Sequence, residues 1–242
     1  MKLDILAIAV HPDDVELGCA GTLMIHAQQG LKVGVVDLTR GELGTRGTPA
    51  LREQEAQAAA EIMGLEVREN LGLADGFFRN DTMEQMAIIT AIRKFRPDIV
   101  LANAMDDRHP DHGRAGKLIA DSCFLAGLRK VETTLDGQPQ EAWRPRQVFH
   151  FLQDRYHEPD FVIDITAVME RKLDAIRSFS SQFLAPKDNE PQTYISGAGF
   201  FDSVVYRAKM LGKMIGVEYA EGYTSAKMIG VRSFKDFISE NT

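Results

Sequence analysis

The sequence is poor in cysteine and has no long run of apolar residues. Only two of its 242 residues are cysteine, Cys19 and Cys123, too few for the disulfide framework of a small secreted domain. No apolar run approaches the roughly 20 residues that a membrane-spanning helix needs. The segment Met1-Lys2-Leu3-Asp4 leads straight into a predicted strand and lacks the pattern of a secretory signal. We therefore expect a cytoplasmic protein without a membrane partner.

An excess of positive charge is also missing. The chain has 28 lysine and arginine residues against 35 aspartate and glutamate residues, which gives a formal net charge of -7 at pH 7. Proteins that bind nucleic acids normally present a basic face, so this balance argues against a nucleic-acid partner. The length and the 44% content of hydrophobic residues fit one α/β domain over residues 1–242.

Strands and helices alternate four times in the first half of the chain. The hydrophobic pattern predicts a first strand that stops at His11, further strands over 32–39, 66–71 and 99–102, and helices over 18–29, 49–63, 81–95 and 113–126. This alternation predicts a Rossmann-like, doubly wound, mostly parallel sheet with helices on both faces. The less regular second half predicts strands over 147–153 and 161–165, helices over 166–179 and 199–215, and a mobile loop over 184–196.

Residue types that bind metals follow the first strand. The apolar run from Leu6 to Val10 leads into His11-Pro12-Asp13-Asp14, and Pro12 ends the strand because proline cannot donate to a sheet ladder. One imidazole and two carboxylates thus lie at the carboxyl end of a strand, where open α/β sheets bind ligands. A turn in which Asp14 caps the next helix is the simpler alternative.

A second stretch repeats this composition. The strand over 99–102 is followed by Asp106-Asp107-Arg108-His109-Pro110-Asp111-His112, and a helix is predicted after it. Two strand ends of one sheet can bring their side chains to a single point. Two imidazoles and one carboxylate, with a position left open for water, are the usual composition of a catalytic zinc site.

The two motifs together resemble the paired signature of the PIG-L/LmbE-like zinc deacetylases, which remove an N-acetyl group from glucosamine-containing glycosides. The resemblance extends over most of the chain and includes the segments 37–47, 75–78 and 216–219. These segments look closest to the bacillithiol branch of the family, whose substrate is N-acetylglucosaminyl malate. The resemblance implies one Zn²⁺ per chain and a homo-oligomer, which in this family is often a hexamer.

The family pattern also suggests a role for each residue of the two motifs. It implies that His11, Asp14 and His112 bind the metal, which leaves Asp13 free to accept a proton from metal-activated water. His109, oriented by Asp111, would then stabilise the tetrahedral oxyanion and protonate the leaving amine. Two simpler roles stay open, because Asp13 could cap the backbone and His109 could be a hydrogen-bonding partner of the ligands.

Substrate contacts are expected from Arg52, Arg108 and Tyr194. Both arginines could bind carboxylates in a bidentate manner, which suits a malate aglycone, although exposed surface arginines are an equally simple interpretation. Tyr194 lies in a segment that resembles the one bringing a tyrosine to the site in the family. Chitooligosaccharides or other N-acetylglucosamine sugars are alternative substrates. A non-catalytic nucleotide-binding module is the alternative of another class, but neither the dinucleotide fingerprint nor a P-loop is present.

Overall fold

The computed structural model describes residues 1–184 and 190–237. Over these residues the strands are β1 (Ile5–Ala9), β2 (Val33–Thr39), β3 (Val67–Leu73), β4 (Ile99–Asn103), β5 (Thr134–Leu135), β6 (Gln138–Pro139), β7 (Gln147–Phe151), β8 (Phe161–Asp164) and β9 (Ala220–Thr224). The α-helices are α1 (Asp14–Gly18), α2 (Ala20–Gln28), α3 (Pro49–Met63), α4 (Thr82–Phe95), α5 (Pro110–Ala126), α6 (Met169–Ser178), α7 (Ser180–Phe183) and α8 (Ala198–Ile215). Two 3₁₀ turns cover Thr166–Val168 and Phe234–Phe237.

Seven of the strands form one sheet in the order β3-β2-β1-β4-β7-β9-β8. The first five strands in this order pair in parallel, whereas β9 is antiparallel to both of its neighbours. The chain therefore winds outward in one direction from β1 to β3 and in the other from β4 to β7. This confirms the predicted Rossmann-like, mostly parallel sheet, and it places the reversal of strand order between β1 and β4.

Both faces of the sheet are covered by helices, as expected for buried parallel strands. Side chains of β1 alternate between two apolar clusters, with Ile5, Ala7 and Ala9 in one and Leu6 and Ile8 in the other. The first cluster lies against α2, α3 and α6, and the second against α4 and α5. None of the helices within the described residues is both long and apolar enough to traverse a bilayer.

Local signals set the ends of α3 as predicted. The Thr48 side chain accepts a hydrogen bond from the backbone N–H of Leu51, and Pro49 occupies the first helical position. Gly64 ends the helix with φ 73°, a left-handed conformation that glycine adopts without strain. Capping residues and a terminal glycine were therefore sufficient to predict this helix to within one residue.

Two predicted helix starts are wrong, and both matter for the site. The helix expected over 18–29 is two helices that break at Cys19, and the first of them begins at Asp14. The helix expected from Gly113 begins at Pro110 because the His109 side chain caps it. Histidine is not among the usual capping residues, so the pattern did not reveal this start.

No sequence pattern indicated β9, the short β5–β6 hairpin or α7. Strand β9 is five residues long and contains Gly222, a residue that weakens strand signals. It is nevertheless an inner strand between β7 and β8. Of the loop predicted over 184–196, residues 185–189 lie outside the described residues, and residues 190–196 form no helix or strand.

A buried ion pair between α6 and the inner strand β9 also contacts the first two helices. Lys172 Nζ of α6 donates to Glu221 Oε1 of β9 at 2.5 Å and to the backbone oxygen of Leu17 at 3.0 Å. The same Glu221 carboxylate accepts the backbone N–H groups of Gly21 and Thr22 at the start of α2. Each side chain of the pair is 3% exposed. Removing one partner would leave the other charge buried and uncompensated.

We expect Lys172→Met to lower the free energy of unfolding by about 3–5 kcal/mol, the usual cost of breaking a buried pair. Lys213→Met is the matched control, because Lys213 is exposed on α8. Urea denaturation of both variants measures the difference. Equal stability of the two variants would contradict the structural importance of this ion pair.

Candidate active site

The predicted site residues lie where the strand order reverses, between the carboxyl ends of β1 and β4. His11 follows β1, and Asp14 is the first residue of α1. His109 and His112 lie at the start of α5, directly after the loop that follows β4. Because β1 and β4 are parallel neighbours, their loops meet at one edge of the sheet, which is the ligand-binding edge of this architecture.

Three imidazoles and one carboxylate converge at this point. Ring nitrogens of His11, His109 and His112 lie within 4.8 Å of one another. The Asp14 carboxylate lies 3.7 Å from His11 Nδ1 and 3.2 Å from His112 Nε2. Imidazole nitrogens and a carboxylate at this spacing are a donor set that suits zinc and similar divalent ions, so the predicted ligands fit a metal.

Hydrogen bonds from three strand ends hold the Asp14 carboxylate. Its oxygens accept the His11 backbone N–H at 3.0 Å, Asn103 Nδ2 at 3.1 Å and Gln153 Nε2 at 2.7 Å. Burial acts to raise the pKa of Asp14, but the neighbouring His112 and His11 hold it well below its usual range. Neither Asn103 nor Gln153 was predicted from the sequence to lie in the site. Asn103 carried a weak signal as the polar end of an apolar strand.

The two imidazoles nearest Asp14 are surrounded by carboxylates. Burial favours the neutral form of His11, yet hydrogen bonds to Asp14 and Asp75 raise its pKa to about 10. Burial opposes the charged form of His112 as well, but Asp14 and Asp107 raise its pKa to about 9. Raised pKa values at both rings mean that a metal must compete with protons to bind here.

Asp13 lies beside the donor set and is held by an arginine. Arg52 Nη2 donates to Asp13 Oδ2 and to the backbone oxygen of Pro12, both at 2.7 Å. The Asp13 side chain makes no capping hydrogen bond to α1, and its backbone has φ 130°, a strained conformation for a residue other than glycine. Burial raises the pKa of Asp13 to about 7 against the opposing charge of Arg52. A carboxyl group with this pKa can accept and release a proton at neutral pH.

The glycine-rich loop after β2 makes room for Arg52. A Cβ atom on Gly41 would lie 2.2 Å from Arg52 Nη1, and the backbone of Gly41 has φ 64°. Both observations restrict this position to glycine. The loop therefore packs against the guanidinium that holds Asp13.

Asp111 contacts His109 through its backbone N–H and not through its carboxylate. The Asp111 carboxylate accepts Gly76 N at 2.8 Å and Arg114 Nη1 at 2.9 Å, while only the Asp111 backbone N–H reaches His109 Nδ1, at 3.3 Å. The cause is the earlier start of α5, which makes His109 the cap of the helix. Since Nδ1 accepts a hydrogen bond, the neutral His109 ring carries its proton on Nε2. Burial and the two neighbouring histidines lower the pKa of His109.

A cavity of about 350 Å³ opens over these residues, within the size range of small-molecule sites. Arg52, Arg108 and Tyr194 all line it, as predicted for substrate contacts. Arg108 is nevertheless paired with Asp154, and its guanidinium lies 4.2 Å from the centre of the Tyr194 ring. Tyr194 Oη donates to the same Asp154 at 3.1 Å. Neither arginine is thus a free cation in the cavity.

The other histidines have structural roles. Each makes a hydrogen bond to a backbone oxygen at 2.7 Å, His26 to Thr22, His150 to Asn103 and His157 to Asp106. Cys19 is buried, and burial raises the pKa of its thiol, which does not suit a nucleophile.

Comparison with known proteins identifies the family. Residues 6–123 match the family model described as PIG-L, GlcNAc-PI de-N-acetylase. Diacetylchitobiose deacetylase of Thermococcus kodakarensis is 32% identical over 236 residues, which cover 90% of this chain and 81% of that protein. The chain belongs to the PIG-L family. The family prediction is therefore confirmed, and the chain is a hydrolytic enzyme of the deacetylase class rather than a nucleotide-binding module.

One further relative is also a deacetylase, and one solved structure has the same fold. The 1D-myo-inositol 2-acetamido-2-deoxy-alpha-D-glucopyranoside deacetylase of Actinosynnema mirum is 43% identical, with 76% of this chain and 82% of that protein covered. The crystal structure of a conserved protein from Thermus thermophilus has a TM-score of 0.84 and 36% identity, and the match covers 95% of this chain and 98% of that one.

We expect Arg52→Met to lower the free energy of unfolding of the metal-free PIG-L chain by about 3–5 kcal/mol at alkaline pH, where Asp13 is ionised and would lose its buried cationic partner. Adding Asp13→Asn should restore most of the loss. Arg108→Met is the control, since its pair involves a side chain that is 43% exposed and should be worth about 0–1 kcal/mol. Denaturant unfolding of the wild type and of these three variants measures the values. A fully stable Arg52→Met would show that Arg52 does not hold Asp13.

Proposed function

We propose that this single-domain enzyme is a zinc-dependent amidohydrolase that removes the acetyl group from a small N-acetylglucosamine glycoside. The observation that carries the proposal is the convergence of two imidazoles and one carboxylate, with a separate buried carboxylate, Asp13, beside them. His11, Asp14 and His112 would hold one Zn²⁺ per chain. The bound metal would supply Lewis-acid polarisation of the acetyl carbonyl and acidify water at the site.

Asp13 is the proposed proton carrier of the reaction. Arg52 and the strained backbone fix its carboxylate at the cavity wall. It would accept a proton from the water that attacks the acetyl carbon and return that proton to the glucosamine nitrogen as the C–N bond breaks. The products are then a free amine and acetic acid, which ionises to acetate by releasing its proton to solvent, so one carboxylate suffices for both proton transfers in the reaction.

His109 is the proposed oxyanion donor. Its Nδ1 accepts the Asp111 backbone N–H, so the proton on Nε2 is available for the carbonyl oxygen as negative charge develops. A second proton on the ring would require loss of that helix-capping bond. We therefore favour a neutral His109 over the protonating cation predicted from the sequence, and we assign amine protonation to Asp13.

Two aglycones are proposed for the glycoside. The sequence resemblance favours malate, whose carboxylate would have to displace Asp154 from Arg108. An uncharged sugar, as in a chitooligosaccharide, is the second candidate. The structure offers an observation in its favour, because both arginines in the cavity are already paired with carboxylates.

Acetate release tests the function directly. The purified enzyme should be assayed on N-acetylglucosaminyl malate, N,N'-diacetylchitobiose and N-acetylglucosamine, with Zn²⁺ and with a chelator. We expect hydrolysis of at least one glycoside, loss of activity in chelator and recovery on addition of Zn²⁺. No acetate from any of the three substrates in the zinc-loaded enzyme would contradict the proposal.

We propose a cytoplasmic enzyme, on the cysteine content and the lack of a signal pattern in the sequence. We propose a homo-hexamer on the family resemblance alone. The mass of the purified protein in solution tests the hexamer.

We expect Asp13→Asn to retain its metal and lose most of its activity. The amide keeps the shape of the side chain but cannot accept the proton, so kcat should fall by roughly 10²–10⁴. Metal content and kcat should be measured on one preparation. Asp106→Asn is the control, since Asp106 is exposed and makes no contact with the three histidines of the site.

Each alternative role of Asp13 has its own outcome. Loss of metal together with activity would make Asp13 a ligand. A metal-loaded, fully active Asp13→Asn enzyme would refute the proposed mechanism.

Arg108→Gln should distinguish the two aglycones. If malate is the aglycone, the variant should raise KM for N-acetylglucosaminyl malate and leave hydrolysis of diacetylchitobiose nearly unchanged. Arg155→Gln serves as control, because Arg155 pairs with Asp106 and does not line the cavity. Equal effects of Arg108→Gln on both substrates would show that Arg108 shapes the cavity and does not bind a carboxylate.

A further inference from the structure

Each of the two histidines proposed as ligands makes a hydrogen bond to a buried carboxylate through the ring nitrogen that points away from Asp14. His11 directs Nδ1 toward Asp14, and its Nε2 lies 3.0 Å from Asp75 Oδ1. His112 is turned the opposite way, with Nε2 toward Asp14 and Nδ1 2.7 Å from Asp107 Oδ2. Asp75 is 6% exposed and Asp107 is 7% exposed.

A carboxylate at one ring nitrogen decides which nitrogen can bind a metal. A neutral imidazole has one N–H, and an ionised carboxylate only accepts hydrogen bonds, so the proton is fixed on the nitrogen that faces the carboxylate. The lone pair of the other nitrogen is then available to a cation. We propose that Asp75 and Asp107 are positioning residues that make His11 bind the metal through Nδ1 and His112 through Nε2.

Both carboxylates are themselves fixed by backbone hydrogen bonds. Asp107 Oδ1 accepts the backbone N–H groups of Arg108 at 2.8 Å and Arg155 at 2.6 Å. Asp75 Oδ2 accepts the backbone N–H of Leu43 at 2.9 Å. Each carboxylate therefore has one oxygen on the histidine and the other on the backbone of a neighbouring loop. The loops after β2, β3, β4 and β7 thereby all contribute to the orientation of the two rings.

The described residues also place His11, Asp75 and Asp111 close enough to suggest a second metal position. The contacts of Asp75 and Asp111 indicate instead that these residues support the His11 ring. Asp75 Oδ1 lies at hydrogen-bond distance from His11 Nε2, and both Asp111 oxygens are already engaged, one by the Gly76 N–H and the other by Arg114. Asp75 therefore orients His11, and the Arg114 guanidinium already neutralises the charge of Asp111.

Zinc affinity tests the positioning role, which rests on the proposed metal site. The amide of Asp107→Asn has only one oxygen that can accept hydrogen bonds. Its NH₂ group must therefore face either His112 or the backbone N–H groups of Arg108 and Arg155. We expect the Kd for Zn²⁺, measured by competition with a chelating dye, to rise by roughly 10–100-fold, and Asp75→Asn should behave alike. Asp106→Asn is the matched control, because it changes the neighbouring carboxylate, which is 61% exposed and contacts neither ligand histidine. Its Kd should equal that of the wild type.

The tautomers of the two histidine rings provide a second test, because a general loss of stability would not change them. In the zinc-loaded wild type, two-bond ¹⁵N–¹H spectra should show the proton on Nε2 of His11 and on Nδ1 of His112. Thermal unfolding of the metal-free variants separates weaker zinc binding from misfolding. If an asparagine variant fails to fold, the wild-type spectra still show which ring nitrogen of each histidine carries the proton.

Opposite tautomers, or a wild-type Kd in both asparagine variants, would overturn the positioning role and leave the proposed function standing. A wild-type protein that binds no Zn²⁺, or a His112→Ala variant that binds it fully, would refute the metal site itself.

Discussion

The burial of the Asp14 carboxylate is the constraint on which the site depends. A buried carboxylate is stable only when it is paired and hydrogen-bonded. Asp14 obtains these partners from the ends of three adjacent strands, through His11 after β1, Asn103 at the end of β4 and Gln153 after β7. The parallel order β1-β4-β7 is therefore a requirement of the site as well as a product of core packing.

The same region concentrates charge that would destabilise an ordinary core. Asp13, Asp14, Asp75 and Asp107 are all buried, and Asp13 also has a strained backbone. Each has a cationic or protonatable partner, namely Arg52 for Asp13 and the histidines for the others. Strain and buried charge of this kind cluster at functional sites, where a fixed geometry is worth more to the reaction than local stability. The arrangement thus supports chemistry at the expense of the fold.

The sequence predicted what depends on local patterns. Apolar runs and capping residues revealed the parallel strands and α3, and the two His-Pro-Asp stretches indicated the strand ends that meet. It did not reveal the contact of Gln153 with Asp14 or that of Asp107 with His112. Neither Gln153 nor Asp107 lies in a local pattern that indicates its partner. The contact of Asp111 with His109 is through the Asp111 backbone N–H, and it depends on where α5 begins. Arg52 was predicted at the site, but only packing shows that it faces Asp13.

An anomalous X-ray map at the zinc absorption edge, from crystals grown with Zn²⁺, would locate the metal. We expect one peak per chain, in contact with His11 Nδ1, an oxygen of Asp14 and His112 Nε2. A peak between His11 Nε2, Asp75 and Asp111, or no peak at this edge of the sheet, would contradict this expectation.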